Sequence, residues 1–133
     1  MHYLKSKITF AASHQLVNQD WDTEKNRQVY GKCSNRHGHN YTVEVTVKGP
    51  CDPVTGMVLN FTQLKHLLKE IIYSQVDHKD LNQDVPFLTN VPPTAENLAC
   101  VFWNLLKVHM PENIALHEIM VQESEKNTVY YHE

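Results

Sequence analysis

The sequence has no apolar run near the roughly 18 residues needed to span a bilayer, which speaks against a transmembrane helix. Its first residues, Met1-His2-Tyr3-Leu4-Lys5, lack the apolar stretch of a signal peptide, so export is not expected. There is no basic surplus. Lys plus Arg number 12 against 15 Asp plus Glu, a net charge of −3, which argues against a nucleic-acid footprint. Cysteine is scarce. Cys33, Cys51 and Cys100 are odd in number and widely spaced, which speaks against a disulfide framework and for a reducing compartment, the cytoplasm. Repeats, low-complexity tracts and linkers are missing too. The 133 residues are 41% hydrophobic and 20% charged, which fits one domain over residues 1–133. A chain of that size can bury a core without staples.

Periodicity divides the chain into three blocks. In the first, Ile8, Phe10, Ala12 and His14 share one face of a strand, and His37, His39, Tyr41, Val43, Val45 and Val47 share one face of another. A polar stretch from about Gln15 to Arg36 separates them and reads as a long loop, a feature that is often functional. In the second block, Asn60 is placed to cap a helix with Gln63 in the capping-box position. Phe61, Leu64, Leu67, Leu68, Ile71 and Ile72 follow at helical spacing. Residues 77–93 read as a loop closed by Pro92-Pro93. Thr94 then caps a second helix with a stripe of Leu98, Val101, Phe102, Leu105 and Leu106. In the third block, Ala115, His117, Ile119, Val121 and Glu123 alternate along a strand, and Thr128–His132 forms a last one. The order ββααββ predicts an α+β fold, a four-stranded antiparallel sheet with two helices on one face. Such a sheet has two open edges, which oligomerisation can cover.

Histidine is the unusual residue, nine in 133. His37 and His39 are two apart on a strand and point the same way. If the first two strands pair antiparallel, the end of one lies beside the start of the other. His14 then joins His37 and His39, and three imidazoles with an open fourth position make a catalytic zinc arrangement. His2, His66, His109, His117 and His132 have no such relation and read as surface or strand residues.

Other candidates surround this group. Cys33 lies four residues before His37, between Lys32 and Arg36, and can be a ligand, a catalytic thiol or an inert side chain. Cys51 and Cys100 read as ordinary packing or turn residues. Asp77 beside His78 can fix the imidazole tautomer, although a histidine at a helix terminus is an equally plain reading. Glu123 ends an apolar strand face, either at the rim or aimed into a pocket, where its two oxygens suit a fork of N–H donors. Lys25, Arg27, Lys32 and Arg36 suit an anionic ligand such as a phosphate ester, or form a solvated loop.

Several stretches carry a family resemblance. They are Phe10-Ala11-Ala12-Ser13-His14, Gly31-Lys32-Cys33, His37-Gly38-His39-Asn40-Tyr41 and Asp52-Pro53-Val54-Thr55-Gly56-Met57-Val58. Asp77-His78-Lys79-Asp80-Leu81-Asn82, Pro93-Thr94-Ala95-Glu96-Asn97 and Glu123 continue them. In order, across nearly the whole chain, they resemble the 6-pyruvoyl-tetrahydropterin synthase / 6-carboxy-tetrahydropterin synthase family. The resemblance implies the T-fold (tunnelling fold), with subunit sheets joined into a barrel as a trimer or dimer of trimers. Active sites would lie at subunit interfaces. It implies 7,8-dihydroneopterin triphosphate as substrate and Zn²⁺ held by His14, His37 and His39. It makes Cys33 the base or proton shuttle, with Asp77 and His78 completing the relay. Glu123 would anchor the pterin ring, with Thr94 and Glu96 assisting. Neither nucleic acid nor membrane is an implied partner.

The three residues between Cys33 and His37 resemble the 6-carboxy-forming enzymes of queuosine biosynthesis. The leading expectation is therefore a zinc-dependent lyase that forms 6-carboxy-5,6,7,8-tetrahydropterin and releases acetaldehyde and triphosphate. The alternative is 6-pyruvoyl-tetrahydropterin synthase of tetrahydrobiopterin biosynthesis, which Gly56-Met57-Val58-Leu59-Asn60 and His39-Asn40-Tyr41 resemble. A non-catalytic pterin- or metal-binding module is the remaining one.

Overall fold

Strict alternation along two long segments builds the centre of the sheet. In the computed structural model, which describes residues 1–133, β1 (His2–His14) pairs antiparallel with β2 (His37–Gly49) over their whole length. β4 (Ala115–Ser124) pairs antiparallel with β2 and with β5 (Asn127–Tyr131). The apolar face of these strands, with Phe10, Tyr41, Val43, Val45, Val47, Ile119 and Val121, is buried. It lies beneath helices α2 (Phe61–Leu68) and α4 (Ala95–Lys107), which pack on β1 and on β4 and β5 respectively. The architecture is α+β, as expected. No helix of the chain is long and apolar enough to cross a membrane.

The sheet has five strands in the order β3 (Lys79–Asp80), β1, β2, β4, β5, and it is mixed. β3 runs parallel to β1 inside the segment expected to be a loop. Two residues are too few to show alternation, so periodicity is blind to such a strand. A second difference lies on β4. A bulge facing Thr46 and Val47 breaks its alternation, so Leu116 rather than Ala115 or His117 opposes Val47 and enters the core.

The polar stretch after β1 also differs from expectation. It contains α1 (Thr23–Tyr30) and a 3-10 turn (Gly31–Ser34). Asp22 caps α1 by accepting from Lys25 N at 2.8 Å. This helix has no apolar stripe to announce it. It is held by the buried Asn26, whose carboxamide accepts from Asn18 N and donates to the carbonyls of Asn18, Trp21 and Asp22.

The first expected helix is present but not uniform. After α2 the chain makes a π turn (Lys69–Tyr73) and ends in a short α3 (Ser74–Val76). Its fully buried residues are Leu64, Leu68, Ile72 and Val76, each four apart. Four-residue steps overshoot a 3.6-residue turn, and the wider π turn takes back that drift. Asn60 caps α2 as expected, accepting from Thr62 N, whereas Phe61 is 52% exposed and outside the core.

Candidate metal centre and active site

The register explains the site. His14 is the last residue of β1 and lies directly opposite His37, the first of β2, while His39 lies opposite Ala12 on the same face. The three rings are brought together as the sequence predicts. Their ligating nitrogens all fall within 4.8 Å of one another, and the Nε2 atoms of His14 and His37 are 3.1 Å apart. His14 is fully buried; His37 and His39 are half-buried.

Hydrogen bonds on the far side of two rings set their tautomers. His14 Nδ1 donates to the Pro93 carbonyl at 2.8 Å, and His37 Nδ1 donates to the Asn35 carbonyl at 2.7 Å. Each leaves an Nε2 lone pair facing inward, the arrangement that metal-ligating histidines adopt. His39 Nε2 is buried with no hydrogen-bond partner. Glu123 adds a carboxylate to the same space, its Oε1 3.5 Å from His14 Nε2 and 3.7 Å from His39 Nε2. Burial holds the His14 and His39 imidazoles below their ordinary range, so protons do not readily reconcile these lone pairs with the carboxylate. A divalent cation does, and the donor set fits one.

Tyr41 forms the floor. It is fully buried, stacks on Phe10, and its hydroxyl lies 3.3 Å from His14 Nδ1. Burial pushes its phenol pKa up, with the Glu123 charge adding to the effect, so it stays protonated. Tyr41 was legible only as a core residue, two positions after His39. The Pro93 and Asn35 carbonyls left no signal, because any residue supplies a carbonyl.

The remaining candidates are placed as follows. Cys33 is a free, half-buried thiol in the 3-10 turn, where its carbonyl accepts from Leu16 N at 2.8 Å. It is not among the clustered donors, so of its three readings that of ligand finds no geometric support. Asp77 and His78 do pair. His78 Nδ1 donates to Asp77 Oδ2 at 2.8 Å, and Asp77 Oδ1 accepts from Ala11 N at 3.1 Å. The His78 hydrogen bond, then the Ala11 N–H, holds the Asp77 carboxyl below the usual carboxylate range, and the Tyr73 hydroxyl contributes as well. The His78 side chain is 82% exposed. It borders the same surface depression as His39, with Ala11, Ser13, Gly38 and Asn40. Thr94 caps α4 by accepting from Asn97 N, and Glu96 is exposed on its first turn. Lys25 lies over the Trp21 ring, and Arg36 pairs with Asp80.

A sequence model of the 6-pyruvoyl tetrahydropterin synthase family matches residues 3–133. The chain belongs to that family. It is 45% identical over 131 residues to the 6-pyruvoyl tetrahydrobiopterin synthase of Poecilia reticulata, covering 97% of this chain and 88% of that one. It is 42% identical over 127 residues to the Homo sapiens protein of the same name, covering 94% and 87%. The solved structure of Caenorhabditis elegans 6-pyruvoyl tetrahydropterin synthase superposes with a TM-score of 0.92 at 31% identity, covering 99% and 95%. The family's T-fold is therefore the fold of this chain.

These relatives overturn the leading sequence expectation. All three are named for the 6-pyruvoyl product, and none for the 6-carboxy product of queuosine biosynthesis. The short Cys33–His37 spacer misled because it is a loop length. Loops tolerate insertion and deletion more readily than the strands they join, so the length of a three-residue spacer is a poor marker of product.

Proposed function

We propose that the protein is a zinc-dependent 6-pyruvoyl tetrahydropterin synthase, a single-domain lyase that eliminates triphosphate from 7,8-dihydroneopterin triphosphate. One observation carries this reading. Two imidazoles with fixed inward lone pairs and a third with an orphaned buried Nε2 converge on one point, in a chain closely similar to enzymes named for that product. His14, His37 and His39 would hold the ion. When bound, Zn²⁺ polarises side-chain oxygens of the substrate and acidifies the adjoining C–H and O–H groups.

The protein's own residues then have distinct tasks. Cys33 acts as the base or proton shuttle at the substrate side chain, and the Asp77–His78 pair completes the relay. The Asp77 carboxylate holds the His78 ring by its Nδ1, which leaves Nε2 free to exchange a proton. Glu123 presents its carboxylate at the edge of the cluster and accepts the guanidine-like edge of the pterin ring, with Thr94 and Glu96 assisting at the start of α4.

The assembly reading is supported by the open edges. β5 has no partner on its outer side, and β1 is paired on its outer side only at Ala12 and Ser13. Copies that pair through those edges would close a barrel as a trimer or dimer of trimers. Three free cysteines suit the reducing cytoplasm.

The deciding experiment is incubation of the zinc-loaded protein with 7,8-dihydroneopterin triphosphate, followed by mass spectrometry. Triphosphate and a 6-pyruvoyl product without acetaldehyde are expected. Binding of zinc and pterin with no triphosphate released would instead identify a binding module.

A further inference from the structure

We propose that Asp80 is a positioning residue for the metal centre, tying together the two strand ends that carry His14 and His37. The inference rests on reading the histidine cluster as a metal site.

Beyond the strand ends a single backbone hydrogen bond, from Leu16 N to the Cys33 carbonyl, joins the two segments. β1 stops at His14, β2 starts at His37, and the two face each other as the terminal pair. Terminal pairs open most easily, and an opened pair separates two of the three ligand nitrogens. Asp80 opposes that from β3, which runs beside Ser13. Its Oδ2 accepts from Ser13 Oγ at 2.9 Å and pairs with the Arg36 guanidinium. Ser13 precedes His14, and Arg36 precedes His37. One carboxylate oxygen therefore joins the chain neighbours of both ligands.

The rest of the segment strengthens the tie. Asp80 Oδ1 accepts from the N–H groups of Asn82 and Gln83, which fixes the turn that presents the carboxylate. Leu81 N donates to the Ser13 carbonyl at 2.8 Å. The Asn82 carboxamide clasps Gln15, accepting from its N–H at 2.8 Å and donating to its carbonyl at 2.9 Å. Both neighbours of His14 are thus held by residues 80–82. An exposed Arg–Asp pair adds little by itself. Here the Asp80 side chain is only 14% exposed and its oxygens are shared among four donors. Asp77 and His78 lie on the same segment, so the tie also fixes that pair relative to the cluster.

The test uses the full chain. Asp80→Asn keeps a carbonyl oxygen for the Asn82 and Gln83 N–H groups, and so keeps the turn. It places an NH₂ donor where Ser13 and Arg36 need an acceptor. Zn²⁺ affinity, measured against a chromophoric chelator, is expected to fall roughly 10- to 100-fold. The visible spectrum of the Co²⁺-loaded protein should change, while the melting temperature of the metal-free form stays near wild type. Arg36→Ala should reproduce part of the loss, with no further loss in the double variant. If D80N does not fold, R36A decides by the same two metal readouts. Wild-type Zn²⁺ affinity and Co²⁺ spectrum in the variants would overturn the inference alone. A wild-type chain that takes up neither ion would overturn the metal reading and this inference with it.

Discussion

His14 and His37 approach Nε2 to Nε2 at 3.1 Å, while their Nδ1 atoms turn outward to the carbonyls of Pro93 and Asn35. Two neutral rings with facing lone pairs repel unless something positive lies between them. Ion uptake should therefore stabilise the fold. The protein purified without added metal is expected to carry one divalent ion per chain by elemental analysis, and His39→Ala to carry none. An ion at 100 times its dissociation constant adds about 2.7 kcal/mol, so chelation should lower the melting temperature by several degrees. An unchanged melt after complete stripping would contradict the site.

Cys33 is a free, half-buried thiol outside the ligand cluster, and the proposed reaction makes it the base or proton shuttle. Removing a positioned acid–base group costs about 10²- to 10⁴-fold in rate. Cys33→Ala is expected to lower triphosphate release by that factor while pterin binding stays within a few-fold of wild type. Turnover at the wild-type rate would remove the thiol from the reaction.

The histidine cluster was legible because strand geometry is simple. A period of two and an antiparallel pair suffice to place His14 beside His37 and His39, and the register bears this out. The helices were legible from their caps and stripes. What escaped notice is what leaves no periodic trace. Asn26 holds α1 through a side-chain network, β3 is two residues long, and the bulge near Thr46 puts Leu116 in the core where alternation predicts Ala115 and His117. The Asp80 network was equally hidden, because its partners are 44 and 67 residues away along the chain. Product choice was misread from a loop length, which is weakly constrained by folding.

The Asp77 carboxyl makes a pH prediction with a definite sign. Its pKa is held below the ordinary 3.8 by hydrogen bonds, first from His78 and then from Ala11 N, whose geometry the fold sets. Its contribution to stability is therefore complete above that ordinary value and disappears as pH falls through the depressed one. Urea midpoints for wild type and Asp77→Asn are expected to differ most at pH 5–6 and to converge toward pH 2. A gap that widened as the solution was acidified would show that Asp77 is not held as a carboxylate.

Phe102 links the helical layer to the metal centre by aromatic contact. It is fully buried in α4, and its ring meets Phe10 edge-on at 6.4 Å; Phe10 stacks on Tyr41 at 4.9 Å, and Tyr41 touches His14. Phe102→Ala removes most of a ring from the middle of this chain of contacts. Loss of transfer energy plus the cavity left behind predicts destabilisation by about 3–5 kcal/mol. Phe102→Leu should cost less, because the branched side chain refills part of the space. Urea unfolding of the metal-free proteins measures both, with the midpoint moving and the slope unchanged. If the alanine variant lost less than about 1 kcal/mol, the site would have collapsed freely, and close packing would not be what fixes Phe10 and Tyr41 beneath His14.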